Sequence, residues 1–235
     1  RSLMIRIIFT IFFYLGVITV CIIFLPSLIL PQKVSLYGGR VIGLWSKFCL
    51  KHLLSVEIVI QGQENIVKDG KFFIACTHQS AFETYFLQVI YKNPLFILKK
   101  ELTKIPIFGW YLKKIGSIAV QRDKVSKENL GFINKIKKNY EQGSRPVIIF
   151  PQGTRKDLKD RSPFKRGIIK IYSQLNIKCQ PIVLNSGAIW PKKGKMSNKK
   201  KLYVSILKPI DPGMEDDQFI STLQNNMYNE LEKFI

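Results

Sequence analysis

A histidine and a carboxylate stand five positions apart, directly after a stretch that predicts a buried strand. The apolar run Phe72–Cys76 is that strand, and His78 and Glu83 follow it. An imidazole can accept a proton near neutral pH, and an acid behind it can fix its tautomer, so the pair is suited to general base catalysis. Ser80 and Glu83 also match a capping box, which would start a helix at Ala81. The cap explains Ser80 and part of Glu83, but it leaves His78 unexplained.

Arginines stand close behind two other predicted strands. Arg122 follows the strand Ser117–Val120, and the strand Val147–Phe150 runs into a loop with the sequence Pro-Gln-Gly-Thr-Arg. Two guanidinium groups beyond strand ends can hold a phosphate through paired hydrogen bonds, and a glycine lets backbone amides approach an anion closely. Taken singly, each piece is more typical of a surface ion pair or a turn. The candidate phosphate-binding residues in these loops are Arg122, Gly153, Thr154 and Arg155.

The composition points to acidic partners and to a membrane. The 235 residues are enough for one domain with a sizeable core, and 37 Lys and Arg against 16 Asp and Glu give a net charge of +21. Such a chain favours phosphates, anionic lipid surfaces or acidic proteins. A nucleic-acid-binding domain fits the charge alone, but the aromatic residues fall in apolar runs and do not interleave with the basic clusters. We therefore expect anionic membrane lipids, and no nucleic acid, among the partners.

The sequence shows no pattern for a metal ion, a cofactor or a disulfide framework. The four cysteines lie far apart and form no C-x-x-C pair, which argues against a zinc site. There is also no Walker A pattern and no G-x-G-x-x-G. We expect no metal and no cofactor, and we expect reduced thiols in a domain that faces the cytoplasm.

The beginning of the chain is apolar enough to associate with a membrane. No charged residue occurs from Ile7 to Gln32, a length that can cross a hydrocarbon core of about 30 Å. The run is too long for the apolar part of a signal peptide, and no small-residue cleavage site follows it. Pro26 and Pro31 favour a kinked or shallow insertion as much as a straight span. Basic residues on both flanks leave the orientation open.

Residues 34–54 have the pattern of an amphipathic helix. Apolar residues recur at helical spacing on one face, and Arg40, Lys47 and Lys51 lie on its flank. The pattern fits a helix at the lipid interface, and it fits equally a helix packed on the protein core. His52 falls on the apolar stripe and is interpreted as a packing residue. The stripe consists of Tyr37, Val41, Leu44, Trp45, Phe48 and His52.

The rest of the chain predicts an α/β domain. Strands alternate with helices, which implies a mixed, largely parallel sheet whose faces are covered by helices. We expect an N-terminal membrane-associating helical segment over residues 1–54 and a single catalytic domain over residues 55–235. The predicted strands are Val56–Ile60, Lys71–Cys76, Leu95–Leu98, Ser117–Val120, Val147–Phe150, Pro181–Leu184 and Leu202–Leu207. Helices are predicted over about residues 81–91, 126–141, 165–175 and 215–235. The stretch Pro191–Lys201, with six lysines, is predicted as a solvated loop, and a contact with lipid headgroups is the alternative.

In order and spacing, four of these stretches resemble the four motifs of the glycerolipid acyltransferase family. His78 to Glu83 matches the family's motif of a histidine followed by an acid. Gly116–Arg122 matches a motif that ends in arginine, and Phe150–Arg155 matches the motif F-P-E-G-T-R. The strand that begins at Pro181 stands for the fourth motif. The resemblance covers about residues 60–190, and it is specific because four ordered motifs agree.

Two positions depart from the pattern of the family. Glu83 stands where the family usually has Asp, which keeps the charge and adds a methylene group. Gln152 stands where the family usually has Glu, which removes a carboxylate. A role for an acid at this second position therefore does not carry over, although an amide can still hydrogen-bond an arginine or a substrate hydroxyl.

The resemblance is strongest to the 1-acylglycerol-3-phosphate acyltransferases, and it implies acyl transfer to the free sn-2 hydroxyl of 1-acylglycerol 3-phosphate, with phosphatidate as the product. The donor would be acyl-CoA or an acyl-carrier protein. In this interpretation His78 is the general base and Glu83 orients it. The residues expected to hold the phosphate of the acceptor are Arg122, Gly153, Thr154, Arg155 and Lys99.

Other functions stay open at this point. The same fold could act on glycerol 3-phosphate, on another lysophospholipid or on a lyso-aminolipid. A basic membrane-binding protein without catalysis would need the charge and the amphipathic start of the chain, but it would not need His78 and Glu83 together. Release of thiol from an acyl donor that depends on the acceptor distinguishes an enzyme from such a protein.

Overall fold

Seven strands form one sheet in the described part of the protein. The structure is a computed structural model, and it describes residues 2–120, 131–143 and 145–235. The strands are β1 (Glu57–Gln61), β2 (Phe72–Cys76), β3 (Leu95–Lys99), β4 (Ile118–Val120), β5 (Val147–Ile149), β6 (Lys178–Leu184) and β7 (Lys201–Ile206). Their order across the sheet is β1-β7-β6-β2-β5-β3-β4, and only the β6–β7 pair among them is antiparallel. The seven predicted strands and the mixed, largely parallel sheet are confirmed.

Seven α-helices accompany the sheet within the described residues. They are α1 (Ser2–Ile23), α2 (Gln32–Leu54), α3 (Phe82–Ile90), α4 (Phe108–Lys114), α5 (Phe132–Gln142), α6 (Gly167–Leu175) and α7 (Asp216–Glu232). The helix predicted over 126–141 corresponds to α5, and the first part of that prediction lies outside the described residues. Helix α4 is absent from the predicted elements because seven residues make too few turns for a periodic pattern to stand out.

The helices cover both faces of the sheet. Side chains of β2 alternate between two apolar cores, so that Ile74 and Cys76 lie in one core while Phe73 and Ala75 lie in the other. The first core includes residues of α1, α2 and α3, and the second includes residues of α5, α6 and α7. A strand that is buried on both faces has a continuous apolar sequence, which is why the run Phe72–Cys76 predicts β2 so directly.

The apolar run at the beginning of the chain is broken near its prolines. Helix α1 ends at Ile23, a 3-10 helix spans Leu25–Leu28, and α2 begins at Gln32, directly after Pro31. The structure therefore agrees with the predicted kink. By length and composition α1 could cross a membrane, and only 22% of its most apolar window is buried inside the protein.

Both N-terminal helices nevertheless contribute to the core. Phe9 and Phe13 of α1 are 1% and 0% exposed, and each ring centroid lies 4.9 Å from that of Trp190. Helix α2 packs closely on α3 through small residues. A Cβ atom added to Gly43 would lie 2.5 Å from the backbone oxygen of Tyr85. Glycine at this position is therefore what lets the two helix backbones come together.

Most of the apolar stripe predicted for α2 faces outward, although Trp45 is partly buried against the core and its indole N–H donates to the carbonyl oxygen of Phe13 at 3.0 Å. Tyr37, Leu44 and Phe48 are 62%, 46% and 44% exposed, whereas the residues that α2 buries belong to other positions of the helix. His52 is also exposed, and its ring lies 4.4 Å from the ring of Phe48, so it packs on a surface neighbour and not in the core. The two interpretations of residues 34–54 thus describe different sides of one helix.

Strand β6 begins at Lys178, ahead of the predicted start at Pro181. The ladder between β6 and β7 begins at Ile182, and Cys179 makes a separate bridge beyond the proline. Because proline has no N–H to donate, it is accommodated where the ladder is interrupted. The strand of the fourth motif, β6, can therefore contain Pro181 in its interior.

Candidate active site

Four parallel strands end at one edge of the sheet, and candidate residues follow each of them. Strands β2, β3, β5 and β6 run in the same direction, so their carboxyl ends face the same way. His78 follows β2, Lys99 ends β3, the loop 150–156 follows β5 and Ser186 follows β6. Active groups in such sheets usually lie beyond the carboxyl ends of the strands. Strand β4 is parallel to β3, but Arg122, predicted behind it, lies outside the described residues.

The backbone of His78 is held at both of its polar atoms by the loop after β5. Its N–H donates to Oε1 of Gln152 at 2.9 Å, and its carbonyl oxygen accepts from the N–H of Lys156 at 2.8 Å. The imidazole stacks on Phe150, with ring centroids 4.1 Å apart and planes inclined by 19°. Gln152 is 2% exposed, so its bond to His78 is shielded from water. The histidine is therefore fixed relative to this loop.

The carboxyl group of Glu83 is fully buried and accepts several hydrogen bonds. The N–H groups of Gln79 and Ser80 donate to Oε1 at 2.9 and 3.1 Å, and the hydroxyl of Ser186 donates to the same oxygen at 2.5 Å. Burial raises the pKa of Glu83 to about 7, and the hydrogen bonds from Ser186, Gln79 and Ser80 oppose that rise. A carboxyl group with a pKa near 7 changes its ionisation within the range of pH in which a histidine base operates.

The capping box predicted at the start of α3 is present in modified form. The hydroxyl of Ser80 accepts from the N–H of Phe82 at 3.1 Å, and Oε2 of Glu83 accepts from the N–H of Ser80 at 3.1 Å. Helix α3 starts at Phe82, one residue after the predicted start. Glu83 therefore serves the cap, while its contact with Ser186 connects it to the end of β6.

Ser186 is a site residue that the sequence did not reveal. It is fully buried and opens the 3-10 helix Ser186–Ala188 behind β6. Its position after a strand of the fourth motif is a signal, because that strand ends at the same edge as β2. Its contact with Glu83 joins residues that are 103 positions apart, and no local pattern indicates such a contact.

The loop after β5 brings a guanidinium group to a cavity beside His78. Gly153 has a φ of +76°, a conformation that favours glycine, and a Cβ atom there would lie 3.2 Å from Cγ of Lys165. Thr154 and Arg155 line the cavity together with His78. Among the described residues no carboxylate lies within 4 Å of the Arg155 guanidinium. The charge of Arg155 is therefore available to an anion.

The cavity has a volume of about 410 Å³ and combines this polar site with a long apolar wall. Ala81, directly before α3, and Tyr85 and Gln88 of α3 recur along one side, so the cavity extends about 10 Å from the region of His78. Lys99 and Lys192 also face it, and Lys192 belongs to the lysine-rich loop that was predicted as solvated, with a headgroup contact as the alternative. The apolar lining includes Val20, Phe24, Ile42, Phe96, Leu98 and Leu112. The arrangement suits an anionic headgroup joined to an apolar chain.

A family model described as Acyltransferase matches residues 57–185, which is more than half of the chain and includes β2, α3 and the loop after β5. The chain belongs to the acyltransferase family. The predicted membership is thereby confirmed.

Curated relatives of this acyltransferase carry one common name. The 1-acyl-sn-glycerol-3-phosphate acyltransferase of Saccharomyces cerevisiae is 31% identical over 166 residues, which cover 68% of this chain and 54% of the yeast protein. The Pseudomonas aeruginosa protein of the same name is 31% identical, with 64% and 59% covered. That of Helicobacter pylori is 32% identical, with 72% and 74% covered. The chain thus spans little more than half the length of the yeast and Pseudomonas relatives.

A solved structure confirms the fold of this acyltransferase. The crystal structure of the 1-acyl-sn-glycerophosphate (LPA) acyltransferase PlsC from Thermotoga maritima superposes with a TM-score of 0.79. The match covers 100% of this chain and 98% of that one, at 23% sequence identity. The predicted α/β fold with preceding N-terminal helices is therefore confirmed.

The structure brings four of the predicted residues of this acyltransferase to one cavity, namely His78, Lys99, Thr154 and Arg155. Their roles, and those of Glu83, Gly153 and Arg122, stay predictions. For Gln152 the sequence left an arginine or a substrate hydroxyl as possible partners of the amide. The structure shows a further partner, because the amide oxygen accepts from the backbone N–H of His78. This contact forms because the loop after β5 lies against the end of β2, its neighbour in the sheet.

Proposed function

We propose that this acyltransferase transfers an acyl group from a thioester to the sn-2 hydroxyl of 1-acylglycerol 3-phosphate and so forms phosphatidate. The observation that carries the proposal is the cavity, in which His78, the cationic Arg155 and an apolar wall meet. A lysophosphatidate carries the three matching groups, a hydroxyl, a phosphate and an acyl chain. The common name of the curated relatives supports this choice of acceptor.

In the proposed reaction the acceptor hydroxyl attacks the carbonyl carbon of the thioester directly. His78 accepts the hydroxyl proton as the C–O bond forms, and the ionised Glu83 stabilises the resulting imidazolium. The tetrahedral intermediate then breaks its C–S bond, and the leaving thiolate takes the proton from His78. No acyl-enzyme is needed, because a thioester is already activated and positioning with a base can supply most of the rate.

The phosphate of the acceptor is assigned to the loop after β5. Thr154 offers a hydroxyl, Arg155 offers a planar pair of N–H donors, and Gly153 lets the backbone approach the anion. Lys99 faces the same cavity from the end of β3 and adds positive charge. Arg122 belongs to the proposal on the strength of the second motif. The donor is acyl-CoA or an acyl-carrier protein, and the net charge of +21 suits both.

We also propose that residues 1–54 hold the catalytic domain, residues 55–235, on the cytoplasmic face of a membrane. The lipid acceptor resides there, the outward side of α1 is apolar, and the outward side of α2 carries both apolar and basic residues. Exposed examples are Ile7, Ile11 and Leu15 of α1 and Leu44 and Phe48 of α2. Lysines around these helices would contact anionic headgroups.

The proposal is tested with purified protein in detergent, acyl-CoA or acyl-carrier protein as donor, and a panel of acceptors. Thiol release is followed with and without each acceptor, and products are identified by mass. We expect release that depends on lysophosphatidate and yields phosphatidate. Faster release with glycerol 3-phosphate or another lysolipid would assign a different acceptor to the same site. Absence of acceptor-dependent release would contradict the proposed enzyme and favour a membrane-binding protein.

The assignment of the phosphate has its own test. Arg155→Ala should raise the KM for lysophosphatidate far more than the KM for the acyl donor, because a cation that faces the anion is lost. Arg155→Lys should recover only part of the affinity, since an ammonium group cannot make two parallel hydrogen bonds. A monoacylglycerol acceptor, which lacks the phosphate, is the control and should respond weakly to both changes. Equal losses with both acceptors would show that Arg155 does not bind the phosphate.

A further inference from the structure

The loop after β5 contacts His78 from two sides and carries the proposed phosphate-binding residues between those contacts. Gln152 accepts from the N–H of His78 at 2.9 Å, and Lys156 donates to its carbonyl oxygen at 2.8 Å. The residues between them are Gly153, Thr154 and Arg155. The base and the phosphate loop are therefore joined through backbone bonds of the base itself.

The side chain of Gln152 makes this contact through its amide oxygen, while its amide nitrogen is poorly paired. It is 2% exposed, and among the described residues its Nε2 has no acceptor with full hydrogen-bond geometry; its interaction with the Tyr228 hydroxyl only opposes the rise that burial causes in the pKa of that phenol. A buried donor that is incompletely paired is unfavourable, so packing alone would favour an apolar side chain of the same length. The bond from Oε1 to His78 is the feature that an apolar side chain could not supply.

We propose that Gln152 is a positioning residue that couples the phosphate-binding loop to the base. A phosphate held at Thr154 and Arg155 fixes the loop, and the fixed loop holds His78 in line with the acceptor hydroxyl. The inference rests on the proposed function, because it takes His78 as the base and Arg155 as the phosphate contact. It adds that the phosphate contributes to the rate of the chemical step as well as to binding.

The chain offers a matched control in Gln79. This glutamine is 1% exposed, its Oε1 accepts from the N–H of Gly187 at 3.0 Å, and its Nε2 has no acceptor among the described residues. Side chain, burial and bond type are the same as for Gln152. The connection differs, since Gln79 binds Gly187 behind β6, whereas Gln152 joins the phosphate loop to His78. The effect of losing a buried hydrogen bond to a glutamine side chain can therefore be separated from the effect of uncoupling the phosphate loop from His78.

The test is a pair of double-mutant cycles on kcat/KM for lysophosphatidate. Gln152→Met keeps the length of the side chain and removes the acceptor, and it is combined with Arg155→Ala. Gln79→Met is combined with Arg155→Ala in the same way. We expect Arg155→Ala to cost at least about fivefold less in the Gln152→Met background than in the wild type, whereas the Gln79 cycle should be additive within about twofold. Gln152→Glu, which keeps the acceptor, should recover kcat relative to Gln152→Met.

Additive behaviour in the Gln152 cycle, or equal coupling in the Gln79 cycle, would overturn the inference. Melting curves check that each variant is folded, and Gln152→Asn, which shortens the side chain and breaks the same bond, replaces Gln152→Met if the latter unfolds. Failure of the proposed function would give a different result from failure of this inference. In that case the wild-type protein itself forms no phosphatidate from lysophosphatidate.

Discussion

Glu83 connects the chemistry of the site to pH. Burial raises its pKa to about 7, and in the proposed mechanism only the ionised form stabilises the imidazolium of His78. Activity should therefore fall as the pH drops through about 7.

The contribution of Glu83 to the stability of the fold changes with pH in the opposite direction. The folded protein keeps the proton of Glu83 to a higher pH than the unfolded chain does, so this contribution to stability is complete below the ordinary pKa of 4.5 and is lost as the pH rises through 7.

Removal of the hydroxyl of Ser186 should shift the pH dependence of activity. This hydroxyl donates to Glu83 and lowers its pKa, so Ser186→Ala should raise that pKa and move the acidic limb of kcat/KM to higher pH. The measurement is a pH–rate profile from pH 5 to 9. Ser205→Ala is the control, because Ser205 makes the same kind of bond to Glu230 at 2.6 Å. A profile that does not move, or that moves to lower pH, would contradict the role of Ser186.

Residues of the site could be predicted where the functional side chains lie close together in the sequence. His78 with Glu83 and the Gly-Thr-Arg loop stand out because each group of residues lies within a few positions. Ser186 and the actual partner of Gln152 were not predictable, since both contacts form between segments that are far apart in sequence. The sheet creates these contacts when it aligns the carboxyl ends of β2, β5 and β6.

At the scale of elements, the close approach of α2 and α3 supports the position of Glu83. Gly43→Ala would place a methyl group 2.5 Å from the oxygen of Tyr85 and 2.7 Å from Cγ2 of Val89. We expect the free energy of unfolding to fall by about 1–3 kcal/mol, the usual effect of overpacking. Gly167→Ala is the control, because a Cβ there meets nothing within 4 Å. Thermal or denaturant unfolding measures both, and equal stabilities for the two variants would contradict the close packing of α2 on α3.

The elements that could be predicted are those with a strong period or a continuous apolar run. All seven strands follow from such runs, and α2 follows from its helical spacing. Which side of α2 faces the protein did not follow, because small residues interrupt the apolar residues of its buried side. Gly38, Gly43 and Ser46 are buried there and carry little hydrophobic signal. Helix α4 is too short to show a period.

At the scale of the whole molecule, the apolar outward side of α1 should attach the protein to lipid. Deletion of α1 is a poor test, because Phe9 and Phe13 belong to the core. The side chains of Ile11, Leu15 and Ile18 are 63%, 59% and 54% exposed and recur on one face. Replacement of all three by serine should weaken binding to anionic vesicles at high salt by at least about tenfold.

The residual binding of that variant should depend on salt. Lysines and arginines near an anionic surface contribute about 1 kcal/mol each, and salt screens them. Vesicle sedimentation at low and high salt separates the two contributions. Full binding of the triple variant at high salt would show that α1 does not provide the apolar attachment.

The central claim is that His78 is the base, and kcat of His78→Ala tests it most directly. His52→Ala is the control, because the chain has two histidines and His52 is exposed on α2. With lysophosphatidate as acceptor and both variants folded, we expect kcat to fall by about 10²–10⁴-fold for His78→Ala and to change little for His52→Ala. A His78→Ala protein that keeps kcat within about tenfold of the wild type would contradict general base catalysis by His78.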